Sequence, residues 1–276
     1  MQIRRVAAFT ENGAGGNPAG VVLADSLPSA REMQRMAAEV GYSETVFAAP
    51  TPEGWTTRYF SPEAEVPFCG HATIALGAVL AAEKGNSRYR LLLQTGEIEV
   101  EASVRDGTGH ATLRSLPTHS RPADDGLISE ALHLFGYARQ DLDQSLPAML
   151  VNAGASHLFL ALSSRKHVSD MRYDLKSGRS FMQRHGLVTV MLAYRETERL
   201  FHARNAFASG GVVEDPATGA AAAALAGMLR DRKILSPGEM TILQGADMGR
   251  PSRIFVRFDG VAGSPVFVSG ATAKIV

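Results

Sequence analysis

The chain has 276 residues, 45% apolar and 20% charged, a balance that suits a soluble globular protein with its own core, in one large domain or two ordinary ones. Lys plus Arg and Asp plus Glu are both 28, so no net field draws in nucleic acid or an anionic membrane. A single cysteine excludes an intrachain disulfide and fits a reducing compartment. The opening MQIRRVAAFTENGAGG has two arginines but no apolar signal core. The longest apolar stretches, Ile74–Ala82 and Ala220–Leu229, fall short of the ~20 residues that span a bilayer. A soluble, cytoplasmic protein without nucleic-acid or membrane partners is expected.

In chain order, GAGGNPAG has neither glycine-rich nucleotide spacing and leads into VVL, a strand-like run where a helix would be required. LPSAREMQRMAAEVG predicts a helix, with Ser29 and Glu32 at capping-box spacing, Met33, Met36, Ala37 and Val40 on one face, and Gly41 as the stop. Next, GYSETVF places Glu44 at the head of an apolar strand, where a carboxylate is costly unless paired or functional; a surface Glu at a strand end is the plainer reading. HATIALGAVLAA lacks a polar face and predicts a helix buried on every side. RLLLQTGEIEVEASV alternates as strands do, and the proline-bearing Ser115–Gly126 reads as a linker. His157, at the start of a strand pattern, reads as structural, and RSFMQRHG as a short solvated helix face. GAAAAALAGML is a second helix without a polar face, and RIFVRFDGVAGSPVFVSGATAKIV closes the chain with strands. The eight histidines are scattered, with no Cys/His cluster at ligand spacing, so no metal site is expected.

At one constant offset Glu65 falls on Glu214, Pro67 on Pro216, Gly70 on Gly219, Ala72 on Ala221, Leu76 on Leu225 and Leu80 on Leu229. The paired Glu, Pro and Gly in order point to a duplicated unit. Two sheets, each wrapped on a central helix, satisfy both copies, as does a helix sandwiched in a layered core. The first turn of a helix leaves N–H groups unpartnered and partly positive. Gly70-His71 and Gly219-Ala220 put small side chains at both tips, which either admit an anion to the backbone or only relieve crowding. Tips that converge would favour a small carboxylate ligand. His71, Asp215 and Glu44 are the candidate proton carriers; a helix-capping His and a helix-dipole Asp are the plainer readings of the first two.

GGNPAGVV, SETVF, RYFSPEAEVPFCGHAT, EDPATGAAAAAL and QGADMGRPSRI resemble, in order and spacing, the signatures of the phenazine-biosynthesis PhzF-like family, across nearly the whole chain. The wider group includes diaminopimelate epimerase and proline racemase. The resemblance implies an α/β fold of two pseudo-symmetric domains, each a curved mixed sheet around a central helix, and a cofactor-independent isomerase that forms a homodimer. It implies a small carboxylate substrate of the trans-2,3-dihydro-3-hydroxyanthranilate type, with Glu44 as the acid/base and His71 and Asp215 essential. Asn17, Gly70, Thr218, Gly219 and Ala220 would then contact substrate. Two positions depart from the family pattern: Ala220 stands where a substrate-contacting Ser is usual, and Gly15-Gly16 replace an aromatic residue before GNP.

The expected domains are residues 1–118, completed by a strand within 264–276, and residues 119–263. Two-thiol racemisation lacks a partner for Cys69, because the duplication sets Thr218 opposite it and a hydroxyl is too weak an acid. Cys69 therefore reads as a small buried filler. A catalytically idle relative serving as a binding module is the alternative of a different class, with an amino-acid epimerase behind it.

Overall fold

The computed structural model describes residues 1–94 and 96–275. The chain divides into two compact units, Met1–Arg114 together with Ser269–Val276, and Ser115–Val268. The first contains β1 (Arg4–Thr10), β2 (Asn17–Leu23), α1 (Ala30–Val40), β3 (Glu44–Thr51), β4 (Gly54–Phe60), β5 (Glu65–Val66), α2 (Gly70–Lys84), β6 (Ser87–Leu93), β7 (Gly96–Arg105) and β8 (Thr108–Arg114). The second contains β9 (His119–Pro122), α3 (Asp125–Phe135), β10 (Met149–Asn152), β11 (Ser156–Ala161), α4 (Arg165–Ser169), α5 (Leu175–Arg184), β12 (Thr189–Arg195), β13 (Leu200–Ala206), β14 (Glu214–Asp215), α6 (Gly219–Asp231), β15 (Gly238–Gln244) and β16 (Ser252–Phe258). β17 (Phe267–Lys274) returns to the first unit, where it pairs with β1 and β8.

Both units pair their strands in the same order. In the first, β2 is antiparallel to β1 and parallel to β3, β3 is antiparallel to β4, and β4 is antiparallel to β5 and parallel to β6. In the second, β11 is antiparallel to β10 and parallel to β12, β12 is antiparallel to β13, and β13 is antiparallel to β14 and parallel to β15. The next strand is antiparallel in each case, β7 on β6 and β16 on β15. The residue matches between the two apolar helices thus mark a repeat of topology, in a mixed α/β fold dominated by sheet.

Each sheet wraps a central helix. α2 packs against β1, β2, β3, β7 and β8, and every residue from His71 to Ala81 is buried. α6 packs against β9, β10, β11 and β16, and every residue from Ala221 to Arg230 is buried. The absence of a polar face follows from enclosure on all sides. Small residues let the sheet close in: a Cβ on Gly77 would stand 2.9 Å from Val100 Cγ2 and 3.2 Å from Ala111 Cβ. Arg230 is the charged exception, with its guanidinium spent on Thr118 Oγ1 (2.8 Å), the Ser264 carbonyl (3.0 Å) and Asp231 (2.7 Å).

The outer helices are amphipathic and conventionally capped. Ser29 Oγ accepts from Glu32 N–H at 3.2 Å, Gly41 closes α1 in the left-handed conformation, and Met33, Met36 and Ala37 pack on Val22, Phe47 and Phe60. α5 buries Phe181 and Met182, while Arg184 and His185 pair with Glu130 at the surface. The stretch read as a linker, Ser115–Gly126, departs from expectation, because His119–Pro122 form β9 against β10. Its polar residues do not alternate, and Pro122 sits at the strand's end, where a missing N–H is tolerated.

Candidate active site

Glu44 opens β3, paired in parallel register with Ala19 of β2. Its side chain is largely withdrawn from solvent, and Oε2 lies 3.4 Å from His71 Nε2. His71, in the first turn of α2, is 7% exposed and touches two more groups: Cys69 Sγ 3.3 Å from Nδ1, and Ser43 Oγ 3.4 Å from Nε2. Nε2 thus faces the Glu44 carboxylate and the Ser43 hydroxyl, and Nδ1 faces the Cys69 thiol. The 3.4 Å separation is a close polar contact, longer than an ordinary hydrogen bond. Asn17, 1% exposed, opens β2 two residues ahead of Ala19, and so lies on the sheet face that carries Glu44.

The start of α2 is anchored from below. Thr73 Oγ1 donates to the Cys69 carbonyl at 2.7 Å and accepts from the Tyr59 hydroxyl at 2.7 Å. Burial pushes the Tyr59 phenol above its ordinary range, which keeps it a neutral donor. Gly70 is not there to relieve crowding: a Cβ on it would meet only Leu113 Cδ2, at 3.9 Å.

In the second unit the matching segment brings together Asp215, Thr218 and Gln244. Thr218 Oγ1 donates to Asp215 Oδ2 at 2.6 Å, and Gln244 Nε2 donates to the Asp215 carbonyl at 2.7 Å and to Thr218 Oγ1 at 3.1 Å. Gly219 and Ala220 begin α6 directly after. Glu65 and Glu214, the duplicated acids ahead of each helix, are structural. Arg58 binds Glu65 through two 2.6 Å contacts, and Arg204 holds Glu214 bidentately, with one bond of 2.8 Å, while also donating to the carbonyls of Ser169 and Met171.

The caps separate these two helices from the rest. A side-chain oxygen caps α1, α3, α4 and α5: Ser29, Asp124, Ser164 and Asp174 respectively. Neither α2 nor α6 has a side-chain cap; Cys69 has no oxygen to offer and the Thr218 hydroxyl is committed to Asp215. First-turn amides without a side-chain cap suit an anionic group.

Among the described residues, Glu44, Cys69 and His71 present one ligand atom each within 4.8 Å of one another, a donor set that zinc accepts. No helix among them is long and apolar enough to cross a membrane. Sequence reasoning overlooked Ser43 and Gln244 and took Cys69 for filler. Gln244 heads the QGADMG block, and its position at the end of β15 opposite Ser252 is visible only in the fold.

The family model described as phenazine biosynthesis-like protein, PhzC-PhzF, matches residues 6–275. The chain belongs to that family. Among its PhzF relatives is a protein named trans-2,3-dihydro-3-hydroxyanthranilate isomerase from Pseudomonas fluorescens, 32% identical over 253 residues, 90% of this chain and 86% of the relative. An uncharacterized isomerase of Deinococcus radiodurans is 32% identical over 280 residues, 97% of this chain and 91% of that one. The fold matches a crystal structure of a Bacillus anthracis PhzF-family phenazine biosynthesis protein with a TM-score of 0.86 at 23% identity, covering 100% and 98% of the two chains. A hydroxyproline epimerase from Agrobacterium vitis shares the fold more distantly, with a TM-score of 0.64 at 15% identity over 100% of this chain and 90% of that one.

Proposed function

We propose that this PhzF-family protein is a cofactor-independent isomerase that relocates a proton on a small carboxylated cyclic or enolic substrate, trans-2,3-dihydro-3-hydroxyanthranilate or an analogue. The observation that carries this reading is the Glu44 carboxylate, withdrawn from water and 3.4 Å from His71 at the uncapped start of an enclosed helix. Glu44 takes a proton from one carbon, leaving a carbanion that the substrate's unsaturation delocalises, and returns it to another carbon. Atoms and charge balance, and the enzyme ends in its starting state. His71 holds the carboxylate in place through Nε2. The remaining contacts are each assigned within their own unit: Asn17 and the first-turn amide of Gly70 accompany Glu44 in the first, and the first-turn amides of Gly219 and Ala220 form an anion-accepting helix start in the second, with Asp215 and Thr218 as polar partners.

Ala220 supplies an amide but no hydroxyl, which favours a substrate differing from that of relatives with Ser there. The same feature supports the second reading, an idle relative that binds without turnover. Incubation with the dihydro-hydroxyanthranilate and related carboxylated enols in deuterated water separates the two: incorporated deuterium supports the isomerase, and no exchange with any of them supports the idle protein. Glu44→Gln is expected to stay folded and to lose at least roughly 100-fold in exchange rate, the lower range for removing a general acid/base. Near-normal exchange in that variant rules out the role given to Glu44.

A further inference from the structure

Behind Asp215 a row of side chains crosses four strands of the second unit. His157 on β11 is 0% exposed, Thr189 on β12 1%, Asn205 on β13 0% and Gln244 on β15 2%. Consecutive members touch: His157 Nδ1 to Thr189 Oγ1 at 2.8 Å, Thr189 Oγ1 to Asn205 Oδ1 at 3.0 Å, and Asn205 Nδ2 to Gln244 Oε1 at 3.0 Å. Gln244 then reaches the Asp215 carbonyl and Thr218, whose hydroxyl ends on Asp215 Oδ2.

Elementary hydrogen-bond chemistry fixes the direction of every link. The Asp215 carbonyl can only accept, so Gln244 must present its NH2 there and its oxygen to Asn205. Asn205 must then donate to Gln244, which leaves its oxygen for Thr189. The single Thr189 hydrogen is used on that oxygen, so the hydrogen between His157 and Thr189 belongs to Nδ1. All side-chain donors of the row point one way, ending on the Asp215 carboxylate through Thr218, and bonds aligned in series reinforce one another. His157 is thereby set as the Nδ1–H tautomer, with a bare Nε2 that is buried and unpartnered.

The repeat shows that the sheet does not require this row. Thr189 occupies in the second unit the register position of Glu44 in the first, since His157 pairs with Thr189 as Ala19 pairs with Glu44. At the place of His157 the first unit has a buried alanine, Ala19. Four interior polar groups are costly to bury unless each is paired, so the row serves more than packing.

We propose that His157, Thr189, Asn205 and Gln244 are positioning residues, a one-way hydrogen-bond relay that holds the Asp215 carboxylate as an acceptor in a single orientation at the start of α6. Their importance for turnover rests on the role proposed above for Asp215; their arrangement does not.

Two measurements separate the arrangement from its catalytic use. In the free, 15N-labelled protein, long-range nitrogen–proton correlations are expected to show neutral His157 as the Nδ1–H tautomer; the Nε2–H tautomer overturns the relay whatever the activity. In the exchange assay, Thr189→Val, which keeps the side-chain shape and cuts the row in the middle, is expected to lower kcat about 10-fold or more with KM little changed, as misplaced catalytic groups do. Thr189→Ser is expected to restore the rate. Wild-type kcat in a folded Thr189→Val variant overturns the positioning role. A wild-type protein that exchanges none of the substrates overturns the functional reading and the catalytic use of the relay with it, while the tautomer result still decides the arrangement.

Discussion

Glu44 and Thr189 sit at one register position of a repeated topology, yet one is a carboxylate and the other a hydroxyl in a neutral row. That difference puts a carboxylate at this position in the first unit, whereas the second carries its titrating group one strand away, at His157. Full burial lowers the His157 pKa to about 4. In the unfolded chain the ring returns to about 6.5. The folded state therefore binds fewer protons than the unfolded state between these values, so the stability it contributes is full above about pH 6.5 and is lost as pH falls toward 4. The loss is on the order of 3 kcal/mol across the window. Urea denaturation between pH 7 and 4.5 is expected to show this slope, and His157→Asn, whose amide nitrogen can stand in for Nδ1, is expected to flatten it. Residue type and motif singled out Glu44, His71 and Asp215, and the structure sets the first two 3.4 Å apart. Gln244 and Asn205 were not singled out, because an amide signals nothing until the fold aims Gln244 at Asp215 and Asn205 at Gln244.

At the scale of elements, the sequence showed which helices would be enclosed, since periodicity without a polar face has one physical outcome. It also showed the Ser29 cap and the Gly41 stop of α1. It did not show β9, whose polar residues pair only because β10 is beside them, nor the partners of the duplicated Glu65 and Glu214. Arg58 and Arg204 do not share the offset of the acids, because the turn between β13 and β14, residues 207–213, is longer than that between β4 and β5, residues 61–64. The two pairs differ in depth, with side-chain exposures of 10% and 7% for Arg204–Glu214 against 21% and 29% for Arg58–Glu65. Removing one partner of a buried pair strands the other's charge, so Arg204→Met is expected to cost about 3–5 kcal/mol. Arg58→Met, which leaves Glu65 within reach of water, is expected to cost a fraction of that. Chemical denaturation midpoints of the two variants check the order, and equal losses would contradict it.

At the scale of the whole molecule, one unit is continuous in sequence and the other is not. β17 supplies the first unit with the strand that pairs with β1 and β8, and the Thr272 hydroxyl adds a bond to the Gly109 carbonyl at 3.2 Å. A variant truncated after Val266 removes this strand. It is expected to lose hydrogen-exchange protection across β1 and β8 while β11, β12 and β13 keep theirs; uniform loss through both units would show that they do not hold their structure separately. The residue matches between the repeats revealed two enclosed helices; no local pattern in β17 says which sheet will receive it, and the expectation that a strand within 264–276 completes the first domain came with the family resemblance. That sheet has consequences for biosynthesis. A nascent chain emerging from the ribosome delivers β1 to β8 early, yet must wait through the whole second unit before the strand that completes them arrives. The half translated first is the half finished last, and its open edge is the surface a chaperone would have most reason to guard.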